Sequence, residues 1–173
     1  MAVSFHETQR FRQQWLWLVV IVALLPSVGI TGYGVWRQVV MGKPFGDRPA
    51  SDPALLFAFA LVCVVSAAVI ALLWSARLDV SVDEREVLIR FRPFHLKGRS
   101  IALSEIAEAQ ARTYRPIAEY GGWGIRMGFN GMAYNVSGNE GVQLVLASGK
   151  RILIGSQRSR DLEAAIALQR EKS

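Results

Sequence analysis

Residues 54–82 read ALLFAFALVCVVSAAVIALLWSARLDVSV, and the character of the chain changes within this stretch. Residues 54–74 contain no charged residue, glycine or proline. As a helix rising about 1.5 Å per residue, they would span about 31 Å, close to the ~30 Å hydrocarbon core of a bilayer. From Leu78 onwards apolar and polar residues alternate, which is the period of a half-buried strand. The stretch therefore predicts a transmembrane helix at 54–74 followed directly by a β domain.

A second apolar run, residues 15–36, precedes this one and lies between Arg12 and Arg37. Aromatic residues mark both of its ends, as is typical of side chains at the membrane interface. They are Trp15, Trp17, Tyr33 and Trp36. Pro26 predicts a kink, because proline removes one helical hydrogen bond. The run predicts a first transmembrane helix at 15–36, with residues 1–14 as a flank and 37–53 as an outer loop.

An alternative for the first run is a cleavable signal peptide. Arg10 and Arg12 would form its basic region, and the small residues at 27–29 would offer a cleavage site. The apolar stretch continues to Trp36 and ends with its own aromatic residues, which favours a retained span. The second span is predicted in either case.

The distribution of basic residues near the runs predicts the orientation. Six lie in the two flanks, residues 1–14 and 77–92, and three lie in the loop at 37–53. Basic residues accumulate on the cytoplasmic side. We therefore expect an integral protein of the cytoplasmic (inner) membrane, with both termini and the C-terminal domain in the cytoplasm.

Residues 77–173 predict one small β domain of about seven strands. Alternating apolar and polar residues predict two hairpins, with turns at 83–86 and 148–149. Residues 104–114 combine the period of a strand with a helix-forming composition, and we predict a turn followed by a strand there. The segment 115–141 is rich in glycine and aromatic residues and predicts turns and a bulged strand. The alternating apolar positions of the hairpins are Leu78, Val80, Val82, Val87, Ile89 and Phe91, then Val142, Leu144, Leu146, Ile152 and Ile154.

A helix is predicted at the C-terminus. Ser159 is placed as its N-cap, and Asp161 and Glu163 lie near the positive end of the helix dipole. An apolar stripe of Leu162, Ala165, Ile166 and Leu168 would face the sheet. A single sheet of this kind hides one face by curling, and the helix can cover its open end.

This order resembles the bacterial pleckstrin-homology-like (PH-like) domains that follow a pair of membrane helices. The resemblance covers residues 77–172 and is carried by the first hairpin, by the segments 101–106 and 122–126, and by 141–157 running into the helix. It implies a strongly bent seven-stranded sheet closed by the C-terminal helix, and no enzyme activity. Relatives that bind phosphoinositides use basic residues around the first hairpin loop, whereas residues 83–86 here are mostly acidic, which argues against inositol-lipid binding.

Candidate catalytic and metal-binding groups are scarce. Cys63 is the only cysteine and lies in an apolar run, and His6 and His95 are the only histidines. These residues make no plausible zinc set or nucleophilic triad, and no nucleotide-binding motif is present. The sequence therefore predicts no enzyme activity, no metal and no cofactor. The net charge of +4 on residues 77–173, from 15 basic and 11 acidic residues, is weak for a partner that is nucleic acid.

Two surfaces are candidates for contact with a partner. Four basic residues fall within ten positions shortly after the second run, and anionic lipid headgroups attract such a cluster. They are Arg90, Arg92, Lys97 and Arg99. Trp123 and Arg126, in the glycine-rich segment, form the candidate surface for a protein or peptide.

The sequence thus predicts a membrane-anchored interaction module that binds a protein, a peptide or the membrane surface. The alternative is an accessory or scaffold subunit whose helices assemble into a larger membrane complex. In that case the face formed by Gly29, Gly32 and Gly34 would pack closely, with Ala67 and Ala71 as candidates for the other side of the contact.

Overall fold

The computed structural model describes residues 4–94, 97–128 and 130–172. The chain forms two compact units. A helical unit contains residues 12–74, and a β unit contains the N-terminal residues as far as Phe11 together with residues 75–173. The predicted domain at 77–173 is therefore incomplete, because part of the β unit precedes the first helix.

The helical unit consists of two long helices. Helix α1 is Gln14–Val35 and continues through Pro26 into a wider π-helical turn at Trp36–Val40. Helix α2 is Asp52–Ser75. Both are long and apolar enough to cross a membrane by length and composition, and most of their side chains are exposed. They match the two predicted spans closely.

The glycines of α1 approach phenylalanines rather than Ala67 and Ala71. A Cβ atom placed on Gly32 would lie 3.2 Å from the Phe59 ring, and one on Gly34 would lie 2.8 Å from the Phe45 ring. A Cβ on Gly29 would meet nothing within 4 Å. Two of the three glycines therefore serve packing within the helical unit itself.

The described part of the β unit contains two sheets, not the single curled sheet predicted. The strands are β1 Phe5–Arg10, β2 Arg77–Val82, β3 Glu86–Arg92, β4 Arg99–Ala102, β5 Ile106–Thr113, β6 Gly124–Gly128, β7 Gly131–Asn135, β8 Glu140–Leu146 and β9 Arg151–Gly155. The first sheet has the antiparallel order β1-β2-β3-β4, and the second has the order β5-β8-β9-β7-β6. A 3₁₀ turn at Leu103–Glu105 separates the two sheets.

The inward side chains of both sheets form one apolar core. Alternation in β2 and β3 buries every second residue, as the sequence predicts, and both predicted hairpins are present. Helix α4, Ser159–Lys172, adds the fully buried Leu162 and Ile166 to this core, whereas Leu168 is 49% exposed. The predicted cap is wrong, because the Ser159 hydroxyl contacts Glu140 and the Ser156 hydroxyl accepts the Arg158 N–H instead.

Strand β1 is the main feature that sequence reasoning missed. It pairs antiparallel with β2 along its whole length. Its inward residues Phe5, Glu7 and Gln9 are buried, but two of the three are polar, so the segment lacks the apolar alternation that marks a strand. Residues 1–14 therefore looked like a flank of the first helix.

An insertion between β5 and β8 replaces the predicted bulged strand. It contains the short helix α3, Pro116–Tyr120, and the hairpin β6–β7. Pro116 opens α3 and Gly121, with φ +71°, closes it in the left-handed conformation. Strand β7 then pairs parallel with β9, so the hairpin extends the second sheet at its far edge.

Glu119 holds α3 to its surroundings. Its carboxylate accepts the Arg112 guanidinium at 2.6 Å, the Arg115 backbone N–H at 2.7 Å and the Asn130 amide at 3.2 Å. Partial burial raises the pKa of Glu119, but the hydrogen bonds from Arg115 and Arg112 outweigh it, and the net effect is a pKa below the ordinary value.

We expect α3 to loosen in acid. A carboxylate with a lowered pKa in the folded state contributes stability above its unfolded pKa and loses it as the pH falls through the folded value. Amide exchange in residues 116–121, corrected for intrinsic rates, should therefore accelerate below about pH 4. The Glu119→Gln variant should exchange faster at neutral pH and lack this acid transition, and an unchanged transition in it would refute the assignment.

Candidate functional site

A row of arginines crosses one end of the first sheet. Arg10 of β1 is the register partner of Arg77 of β2, which is in turn the partner of Arg92 of β3. All three lie on the outward face, because the alternate positions of these strands point into the core. Arg90 lies two residues before Arg92 on the same face. We call these four arginines, together with Asp79, the outer patch.

Asp79 is the one acidic member of the outer patch. Its carboxylate lies 3.5 Å from Arg77 Nε and 3.7 Å from Arg92 Nε, and it accepts the Thr8 hydroxyl at 2.8 Å. Ion pairs at such exposed positions contribute little to stability. One carboxylate facing four guanidinium groups leaves a net charge of three, so the patch remains strongly positive.

The members of the outer patch on β2 and β3 line a shallow hollow of about 250 Å³, which Arg10 does not reach. The hollow is also lined by His6, Ser81 and Leu88. Arg90 Nε is buried here and has no hydrogen-bond partner among the described residues.

The structure separates the four basic residues predicted as one cluster. Arg90 and Arg92 share the outer patch, and Lys97 is exposed in the turn after β3. Arg99 is the register partner of the inward-facing Ile89, so it lies on the opposite face of the sheet. Arg10, by contrast, joins the patch only through the β1–β2 pairing. From the sequence alone, Arg10 and Arg77 indicate only the orientation of the apolar runs that they flank.

Trp123 and Arg126 serve the insertion's own structure. Trp123 Nε1 donates to the Gly138 carbonyl at 3.0 Å, and Arg126 Nε donates to the Trp123 carbonyl at 3.0 Å. The Arg126 side chain is exposed, but it folds back on its own hairpin. These contacts give the pair a role in fixing the loop before β6, and binding of a partner there stays a prediction.

Within the described ranges, no group of three or more His, Cys, Asp or Glu side chains could hold a metal ion. His95 lies outside the described residues. Burial raises the pKa of Tyr114 and of Tyr120, so both phenols in the insertion's buried cluster are neutral at physiological pH.

Comparison of the chain with known protein families, with curated proteins and with solved structures finds no match.

Proposed function

We propose that this chain is a membrane-anchored PH-like module without catalytic activity, whose outer patch binds the anionic headgroups of the bilayer in which α1 and α2 are embedded. The observation that carries this proposal is the register of Arg10, Arg77 and Arg92. This register aligns three positive side chains at one end of the first sheet. At that same end the chain leaves β1 towards α1 and enters β2 from α2.

The covalent connections set a limit on where this row can lie. Residues 11–13 separate β1 from α1, and one residue, Ala76, separates α2 from β2. An extended chain reaches at most about 3.6 Å per residue, so Arg10 and Arg77 stay within about 15 Å of a helix end. If the helices span a bilayer, the row is tethered at the headgroup region.

The pairing of β1 with β2 supports a two-span topology. The strand before α1 and the strand after α2 belong to one sheet, which requires both flanks to lie on the same side of the membrane. It also supports retention of the first apolar helix, because cleavage after residue 29 would remove β1. Cytoplasmic placement of both flanks rests on the distribution of basic residues and is part of the proposal.

The electrostatics of the outer patch suit this role. Juxtamembrane basic residues contribute about 1 kcal/mol each to attraction by an anionic leaflet. Four arginines against one carboxylate give a net attraction.

The test uses the β unit freed from its helices. Because Arg10 and Arg77 are register partners, a short Gly/Ser turn can replace residues 12–74 and close β1–β2 as a hairpin. We call this protein the fused β unit. In cosedimentation at low salt, it should bind vesicles of phosphatidylcholine with phosphatidylglycerol and leave pure phosphatidylcholine vesicles unbound. Replacing both Arg77 and Arg92 with glutamine should weaken binding about 30-fold, as expected for two lost charges.

Asp79→Asn provides the opposite change at the same place. Removing the negative charge should strengthen binding about fivefold, again from about 1 kcal/mol per charge. Arg160→Gln, at an exposed position of α4, is the matched control and should bind like the parent protein. Equal weakening by Arg160→Gln and by the double variant would show a general charge effect and contradict a defined surface.

Assembly through the helices has less support. Gly32 and Gly34 already pack against Phe59 and Phe45 within the helical unit, so only Gly29 remains open. A lone glycine gives no extended face for close helix packing.

A further inference from the structure

A second basic site lies on the other side of the first sheet. It is a cleft of about 750 Å³ between the start of β4, the β6–β7 turn and the β8–β9 turn. Three cationic residues line it, together with three apolar residues of the second sheet. The cations are Arg99, Lys150 and Arg151, and the apolar residues are Met127, Met132 and Ile152.

The positive charge of this cleft is not compensated. Its described lining contains no carboxylate, and none of its three cations forms an ion pair in the described part of the chain. Arg99 Nη1 contacts Tyr134 Oη and Met132 Sδ, each at 3.2 Å. These neutral acceptors orient the guanidinium without removing its charge. Arg99 is thus held with its full charge at the wall of a cleft that Lys150 and Arg151 also line.

We propose that this cleft binds a phosphate monoester. Such a group carries a charge of about −1.5 to −2 near pH 7 and three strong acceptor oxygens, which suits a cleft lined by three cations and no described carboxylate. Arg99 and Arg151 can each present two parallel donors to phosphate oxygens, and Lys150 adds a point charge. The volume is that of small-molecule sites, and the two methionines leave apolar surface for the organic part of the ligand.

This inference does not depend on the outer patch. Arg99 faces away from Arg90 and Arg92, and none of the outer-patch residues lines the cleft. The phosphate monoester has two possible sources with the same chemistry: a soluble metabolite, or the headgroup of phosphatidic acid in the membrane. The experiment has one arm for each source.

The full-length protein in phosphatidylcholine nanodiscs is titrated with glycerol phosphate and followed by calorimetry. In the second arm, increasing fractions of phosphatidic acid are built into the nanodiscs and headgroup contact is followed by ³¹P line broadening. Arg99→Gln and Lys150→Gln should each weaken binding by about tenfold or more, the loss expected for one charge-assisted hydrogen bond. Arg160→Gln, at an exposed position of α4 outside both basic surfaces, is the control and should bind like the parent.

Every outcome decides the proposal. Saturable binding of glycerol phosphate that is lost in the two cleft variants supports a soluble ligand, and a response to phosphatidic acid alone with the same losses supports a lipid ligand. Absence of glycerol phosphate binding together with a phosphatidic acid response that both cleft variants leave unchanged, or losses as large in Arg160→Gln, would overturn the cleft as a site. Lys150 is exposed at the end of a turn, so Lys150→Gln should fold normally even if Arg99→Gln does not. A parental melting temperature checks this.

Discussion

Replacing Glu7 with alanine is expected to destabilise the β unit by about 3–5 kcal/mol, through the loss of two charge-assisted hydrogen bonds at about 1.5–3 kcal/mol each. Glu7 is buried on the inward face of β1. Its carboxylate accepts the Ser156 hydroxyl at 2.5 Å and the Gln157 backbone N–H at 2.9 Å. The alanine variant would leave the buried Ser156 hydroxyl and the partly buried Gln157 N–H without acceptors, directly before α4 begins.

The loss of Glu7 should act on β1 most strongly. Gln9, two residues along, donates to the Gly155 carbonyl at 2.8 Å, so the strand is joined to the same β9–α4 connection at two points. With Glu7 removed, β1 should separate from β2 in a fraction of molecules. Arg10 would leave the outer patch in those molecules, and we expect weaker binding to anionic vesicles as a secondary effect.

Urea unfolding of the fused β unit measures the change in stability, and amide exchange at Gln157 reports the site directly. Thr8→Ala is the matched control, because Thr8 lies on the outward face of the same strand and bonds the exposed Asp79. It should cost no more than about 1 kcal/mol. If Glu7→Ala and Thr8→Ala were equally stable, β1 would not be anchored through its buried carboxylate.

Features with a strong local period were predictable from the sequence. Helix α2 begins and ends within two residues of its predicted limits, whereas α1 begins one residue early and runs on through the π-helical turn to Val40, four residues beyond its predicted end. The hairpins β2–β3 and β8–β9 follow their alternation. The ambiguous segment at 104–114 is a 3₁₀ turn followed by β5, as predicted, despite its helix-forming composition. Pairing with β8 outweighs intrinsic helix propensity there.

Features decided by distant partners were not predictable. The inward residues Glu7 and Gln9 look like surface residues in sequence, because their partners lie almost 150 positions further along the chain. The outer patch was predictable only in part for the same reason. Arg90 and Arg92 follow from alternation within β3, whereas Arg10 joins them through a pairing that spans both helices.

Gly131→Ala is expected to lower the free energy of unfolding of the β unit by about 3–5 kcal/mol and to detach the β6–β7 hairpin from β9. The loss has two causes, a backbone angle that alanine does not tolerate and a steric clash of its Cβ atom. Gly131 has φ +97°, and a Cβ there would lie 2.1 Å from the Arg151 carbonyl oxygen. A backbone atom inside a sheet cannot move aside as a flexible side chain can. Strand β7 would have to withdraw, opening the three parallel pairs that begin at Met132 and Ile152.

Gly138→Ala separates the two causes. Gly138 has φ +73°, but a Cβ there would meet nothing within 4 Å, so only the backbone angle is penalised, by about 1–2 kcal/mol. Urea unfolding of both variants in the fused β unit, with amide exchange at Ala133 and Tyr134, should show the larger loss and local opening only for Gly131→Ala. The full-length Gly131→Ala protein should also lose phosphate binding, because Met132 and Arg151 form adjoining walls of the cleft. Equal losses of stability in Gly131→Ala and Gly138→Ala would mean that the parallel contact between β7 and β9 is looser than its backbone spacing indicates.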